Sequence, residues 1–398
     1  MIARKAWMLL EKIERRPGFL VTAVSTIYFA VVCVLASTKQ FWNDELFTFY
    51  ISGRPSLPDV WNALLTGAEQ LPPLFYVITR AFTALFGPGY LAFRLPEIIG
   101  FWVMGLSLYF FVRRRSSAAY GLVAMVFPWV TESLYYSYEA RPYGLLFGFC
   151  GVALLFWQSA VEGRRRSAAL AGLSLSLGAA ISCHYYAILI FVPFALGEGV
   201  RFAVRKKLDL PLLVSITAGL LPLIIFLPLI RAAHSYSGTF WAKPQWTNII
   251  GFYSYLLHPA ILVLVCIPMI VAMAFVVRGP ERDGRSGHFD RIPTHEIAAA
   301  LGFVLIPLVA VFLAKTITGA FTYRYALPAV IGVSILLAWS ASVLSSDRPS
   351  AGLAIGLISV GIFLLHGGKT YYEWRDSARR SDGSLQLLHD EARGGLPV

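Results

Sequence analysis

Two adjacent carboxylates, Asp44 and Glu45, sit inside an aromatic stretch, Phe41-Trp42-Asn43-Asp44-Glu45-Leu46-Phe47. Neighbouring acids in such a setting repel each other, and partial burial raises at least one pKa. A raised carboxylate suits a general base. The competing reading is a solvated loop that caps the next helix. Glu139 and Arg141 lie in a second patch, Tyr135-Tyr136-Ser137-Tyr138-Glu139-Ala140-Arg141-Pro142-Tyr143. They either face Asp44 across a shared pocket or form a local ion pair. Cys183-His184-Tyr185-Tyr186 adds a histidine that is an interface anchor or part of a pocket wall. Lys243 lies between His234 and Gln245 in an aromatic-rich stretch. Thr322-Tyr323-Arg324-Tyr325 supplies an arginine whose planar fork matches phosphate oxygens, with snorkelling as its alternative. Arg94 opens a further patch, Phe93-Arg94-Leu95-Pro96-Glu97.

The elements that carry these residues are membrane spans. Of 398 residues, 57% are hydrophobic and only 14% charged, against roughly 25% charged in a soluble domain. The apolar residues fall in long blocks, near 18–37, 92–112, 117–134, 142–161, 167–183, 186–204, 211–231, 256–277, 296–315, 325–345 and 350–366. About 20 apolar residues make a span, so the chain reads as an all-α bundle of about eleven transmembrane helices. The four cysteines show no C-x-x-C spacing and read as small buried hydrophobes.

The net charge of +12 is a topology signal rather than a nucleic-acid footprint. With the N-terminus inside, loops 1–17, 113–116, 162–166, 201–210, 278–295 and 346–349 carry 20 of the 34 Lys and Arg residues. All the chemical candidates above then fall on the outer side. The expected organisation is a transmembrane domain over 1–366 and a short outer tail over 367–398. No Walker A, G-x-G-x-x-G or H-E-x-x-H pattern occurs, so nucleotide binding is unsupported. No cofactor is indicated, and a divalent metal is optional.

The first outer loop, 38–90, is the longest. Ser56 followed by Asp59 is a capping box, and Gly67 would end the helix it starts. Pro72-Pro73 opens a second helix, Leu74 to Phe86, stopped by Gly87-Pro88-Gly89. At about 14 residues it is short for a span, so both helices are expected to lie along the outer membrane surface.

In these ordered patches the chain resembles the GT-C superfamily of polytopic glycosyltransferases. It resembles in particular the bacterial relatives of protein O-mannosyltransferases and of the aminoarabinose transferase that modifies lipid A. Trp42-Asn43-Asp44-Glu45 resembles the family's Asp-Glu motif, and Leu71-Pro72-Pro73-Leu74-Phe75-Tyr76 its Pro-Pro patch. Ala92-Phe93-Arg94-Leu95-Pro96, Tyr138-Glu139-Ala140-Arg141-Pro142-Tyr143, His184-Tyr185-Tyr186 and Tyr323-Arg324-Tyr325 follow in the family's order. The likeness covers about residues 18–200 plus the Arg324 region.

That resemblance implies transfer of a sugar from a polyprenyl-phosphate donor to a glycan, lipid or protein acceptor on the outer face of the inner membrane. Asp44, paired in its motif with Glu45, would deprotonate the acceptor, with inversion at the sugar. Arg324, with Arg141 or Lys243, would hold the phosphate. Glu139 would orient acceptor or sugar, and His184 with the tyrosines would shape the sugar pocket. In two places the chain departs from the family pattern. Gln70-Leu71 stand where relatives often carry a His, and only about 30 residues follow the last span. A transporter or lipid flippase shares the span count, but it usually carries internal repeats and mid-span charge.

Overall fold

The structure, a computed structural model, describes residues 16–235, 242–278 and 292–393. Among them there is no strand. Pro17–Thr38 (α1) leads into the first loop, which folds as Asn43–Ser52 (α2), Leu57–Leu65 (α3) and Leu74–Phe86 (α4). Tyr90–Arg113 (α5), Ala118–Val130 (α6), Tyr143–Val161 (α7), Arg166–Cys183 (α8) and Tyr185–Arg205 (α9) follow. Leu210–Ile225 (α10) and Leu227–His234 (α11) are bent by 62°, and Thr247–Met273 (α12) comes next. Thr294–Val304 (α13) and Ile306–Thr318 (α14) are bent by 48°. Ala329–Leu344 (α15) and Pro349–Arg393 (α16) complete the described chain.

Every expected apolar run is helical. Among the described residues, seven helices are long and apolar enough to cross a membrane, and counting each bent pair as one span raises that to nine. The other two runs, 117–134 and 325–345, form the shorter apolar helices α6 and α15. Run 211–231 is broken where Pro222 and Pro228 remove backbone donors on either side of Phe226. Pro307 marks the second break.

Of the expected inner loops, most of 1–17 and 278–295 lies outside the described residues; in 113–116, 162–166 and 201–210 the arginines are not unopposed. Glu162 pairs with Arg115 at 2.6 Å and with Arg114 at 3.3 Å, and Glu296 also binds Arg115. Asp209 takes Arg166 at 2.5 Å and Arg201 at 3.3 Å. These pairs tie α5, α7, α8, α9, α10 and α13 together.

Helices α5 and α7 touch backbone to backbone. A Cβ on Gly144 would lie 2.3 Å from the Glu97 carbonyl oxygen, and one on Gly100 would lie 2.4 Å from that of Gly144. Only small residues allow such an approach. In return the Glu97 carboxylate accepts the Leu145 N–H at 2.8 Å, capping the first turn of α7 from its neighbour. This contact fixes the segment just before α7, which carries Glu139 and Arg141.

The first loop is built as its caps dictate. Ser56 Oγ accepts the Asp59 N–H at 3.3 Å and the Asp59 carboxylate accepts the Ser56 N–H at 3.1 Å. Gly67 and Gly87 take positive φ after α3 and α4. Val60, Leu64, Phe75 and Tyr76 bury against Cys183, Phe226 and Leu229, an apolar cluster separate from the main core. The expected tail does not begin as a separate segment at 367: α16 continues unbroken to Arg393. Its Trp374 ring meets Tyr138 at 5.4 Å, beside the Glu139 patch.

Candidate active site

A cavity of about 770 Å³ opens where the first loop meets the ends of α8, α11 and α14. Asp44 reaches it from the first turn of α2, and Glu69 from the turn after α3. Arg141 and Tyr143 come from the start of α7, and His184 from the break between α8 and α9. Arg231 and His234 stand on the last turn of α11, while Arg324 and Tyr325 come from a short turn before α15. Each polar group sits at a helix end, where backbone groups are already open to polar partners.

Two ion pairs organise the floor. Asp44 Oδ2 lies 2.5 Å from Arg324 Nη1, with both side chains about a quarter exposed, at 25% and 23%. Arg141 forks onto Glu69, at 2.8 Å and 3.3 Å, and its Nη1 also donates to the Asp44 carbonyl at 3.1 Å. Arg141 therefore braces the backbone beneath Asp44. Arg231 is exposed on the cavity wall with no ion-pair partner among the described residues.

His184 is a neutral group. Burial, with help from the Arg141 and Arg324 charges, lowers it to about 3. Its Nδ1 accepts the Tyr186 N–H at 3.1 Å, which assigns the proton to Nε2. That Nε2–H is buried with no hydrogen-bond partner among the described residues. The ring is boxed by Tyr143 and Tyr325, each with its centroid 5.5 Å away, and Tyr325 stacks on Tyr186 at 4.0 Å. A fixed donor among aromatic rings suits recognition of a hydroxyl-rich ligand.

Glu45 turns away from the cavity. Both its oxygens meet Arg94 at 2.8 Å, and it also takes the Ala140 N–H at 2.7 Å and Lys39 Nζ at 3.3 Å. Arg94 further donates to the carbonyls of Ala36, Lys39 and Gln40. Burial pushes Glu45 up, but the Arg94 hydrogen bonds and charge outweigh it, so its pKa falls below the ordinary value. The raised carboxyl is Glu139. Burial lifts it to about 7 against the pull of Lys39. Glu139 Oε1 accepts the Trp42 indole N–H at 2.5 Å, and Oε2 has no hydrogen-bond partner among the described residues.

The structure thus brings Asp44, Arg141, His184, Tyr185 and Arg324 together on the cavity surface. Glu45, Arg94 and Glu139 stand behind it. Lys243 is exposed and does not line the cavity. Tyr323 packs its ring against Tyr255 at 5.3 Å, outside the lining. Glu69, Lys39 and Arg231 escaped the sequence reading. An acid just before the Pro-Pro patch was the available signal for Glu69. Lys39 and Arg231 each look like ordinary span-end cations. Among the described residues, no three His, Cys, Asp or Glu side chains gather as metal ligands.

Residues 70–231 match the family model described as dolichyl-phosphate-mannose-protein mannosyltransferase. The fold is that of a polytopic helical membrane protein. Two solved structures of ArnT from Cupriavidus metallidurans are similar at 16% identity over 81% of this chain. One, bound to undecaprenyl phosphate, superposes with a TM-score of 0.53, and the other, in the apo state, with 0.52. This chain spans 60% and 59% of their lengths. No curated protein matches the sequence. The partial family match and the shared fold together describe a multi-pass helical membrane protein.

Proposed function

We propose that the protein transfers a sugar from a polyprenyl-phosphate-linked donor to a glycan, lipid or protein acceptor at the outer face of the inner membrane. The Asp44–Arg324 pair on the cavity surface is the observation that carries this reading. A bound undecaprenyl phosphate in one similar structure supports the donor class. The N-terminus is then cytoplasmic, and the end of the bundle that holds the cavity is the outer one.

In the reaction, Asp44 takes the proton of an acceptor hydroxyl. The oxygen attacks the anomeric carbon from the face opposite the phosphate. The sugar–phosphate C–O bond breaks, its electron pair leaves with the lipid phosphate, and the sugar inverts. Arg324 neutralises that leaving charge. Arg141 holds the Asp44 backbone, and His184 donates to a sugar hydroxyl. Glu45 and Arg94 position the loop rather than touch substrate, and Glu139 acts from behind the cavity. A phosphate leaving group requires no general acid.

Transfer from a radiolabelled polyprenyl-phosphate sugar in proteoliposomes tests this reading. Wild type should transfer and Asp44→Asn should not; equal transfer by both removes Asp44 as the base. Two broken helix pairs end at the cavity wall, at His234 and Thr318, and that favours a second reading as a lipid flippase. Movement of lipid between leaflets without transfer, by either protein, would select it.

A further inference from the structure

Trp42 makes two contacts at once. Its indole N–H is held by Glu139 Oε1 at 2.5 Å, and its ring faces the Arg324 guanidinium 5.8 Å from Cζ to the ring centroid. Its backbone is pinned as well. The Trp42 N–H donates to Glu45 Oε2 at 3.4 Å, and its carbonyl accepts from the Glu45 and Leu46 N–H groups. Glu45 is locked in turn by Arg94. Trp42 thus links the buried ion-pair knot to the arginine on the cavity surface through a single side chain.

An arginine sits on a long flexible stem, and it pairs well with phosphate only when the plane of its fork is fixed. Asp44 fixes one edge of the Arg324 fork in the structure. An arriving phosphate needs an edge of that same fork. An aromatic face holds the cation through its quadrupole and uses none of the in-plane N–H donors. Trp42 can thus go on holding Arg324 while those donors are in use. Trp42 N–H is also the one hydrogen bond found for the Glu139 carboxyl among the described residues. That gives Glu139 a definite task, which is to fix the rotation of the indole.

We propose that Trp42 is a positioning residue that holds the guanidinium plane of Arg324 from behind while the lipid phosphate occupies its edge, with Glu139 setting the indole. This rests on the donor reading above. A tryptophan that merely anchors the loop at a membrane interface would have no coupling to Arg324.

Binding of undecaprenyl phosphate to the full chain in nanodiscs provides the test, with Trp42→Leu and Trp42→Phe each in two backgrounds, Arg324 and Arg324→Gln. In the Arg324 background Trp42→Leu should weaken binding about tenfold, and Trp42→Phe, which keeps a ring but loses the N–H, about threefold. With Arg324→Gln the background binding is weaker, and both further losses should shrink below about twofold because the cation is gone. Equal losses in both backgrounds, or no loss in either, would overturn the proposal. If Trp42→Leu does not fold, Trp42→Phe alone decides by the same comparison. Failure of the wild type to bind the lipid is a separate result that removes the donor reading itself.

Discussion

The Asp44 carboxylate meets the Arg324 guanidinium at 2.5 Å across 280 positions of chain. The pair joins a carboxylate to a guanidinium, and neither is fully buried. A donor phosphate and Asp44 compete for the Arg324 fork, so a phosphate that takes it would free the Asp44 carboxylate for an acceptor hydroxyl. On the proposed reading, donor binding therefore prepares the base, and an acceptor without donor meets a carboxylate already engaged.

This exchange separates two properties of Asp44→Asn. Transfer should fall by about 100-fold or more, as expected for loss of a general base. Binding of undecaprenyl phosphate should tighten several-fold, because Arg324 loses its competing anion. Lipid binding measured beside transfer checks it. Weaker binding by the variant would remove the competition argument.

Glu45, next in sequence, does structural duty instead. Removing the charge by Glu45→Gln leaves Arg94 buried without its partner and should cost about 3–5 kcal/mol. The folded carboxyl sits below its ordinary 4.5. Its stabilisation is then present above pH 4.5 and is lost as pH falls through the lowered value. Thermal unfolding in detergent should show that acid limb in wild type and lose it in the variant.

Much of this was legible beforehand, because hydropathy and cap chemistry are local. The capping box at Ser56 and Asp59 formed as its spacing demands. The apolar runs all became helices, although prolines bent two of them. What the local pattern could not separate was Asp44 from Glu45. Their difference lies in partners far along the chain, Arg324 and Arg94. The same holds for Glu69, whose role exists only through Arg141. Basic clusters such as Arg113-Arg114-Arg115 read as bare topology signals, yet Glu162 and Glu296 balance them in space.

Glu139 offers a pH test of opposite sign. Its folded value of about 7 lies above the ordinary 4.5. Between those values the unfolded chain has released a proton that the folded chain still holds. Stability contributed by this group therefore falls as pH rises from 4.5 to 7 and then levels off. Lys39, Glu45, Arg141 and Arg324 surround it and are present in both arms of the comparison. Glu139→Gln should abolish that slope in unfolding curves, and an unchanged slope would assign it elsewhere.

His184 should contribute no titration to activity. At about 3 it is neutral across the working range, so the pH profile of transfer should carry no inflection from it. His184→Ala should lower kcat/KM about tenfold through loss of one donor, with the shape of the profile unchanged. A limb that disappears in this variant would show that the imidazole changes charge during turnover.

The α5–α7 contact ties packing to the site. A methyl at Gly144 would lie 2.3 Å from the Glu97 carbonyl oxygen, a backbone atom that cannot rotate away. The helices must part, and Glu97 would then lose its hold on the Leu145 N–H. Gly144→Ala should cost about 1–3 kcal/mol in unfolding. It should also lower transfer, because the segment carrying Glu139 and Arg141 ends where α7 begins. Gly361, in α16, is the matched control: nothing lies within 4 Å of the position of its Cβ. Gly361→Ala should be neutral or slightly stabilising, since alanine is the better helix former. Equal behaviour of the two variants would mean that close approach of α5 and α7 is not what holds the site.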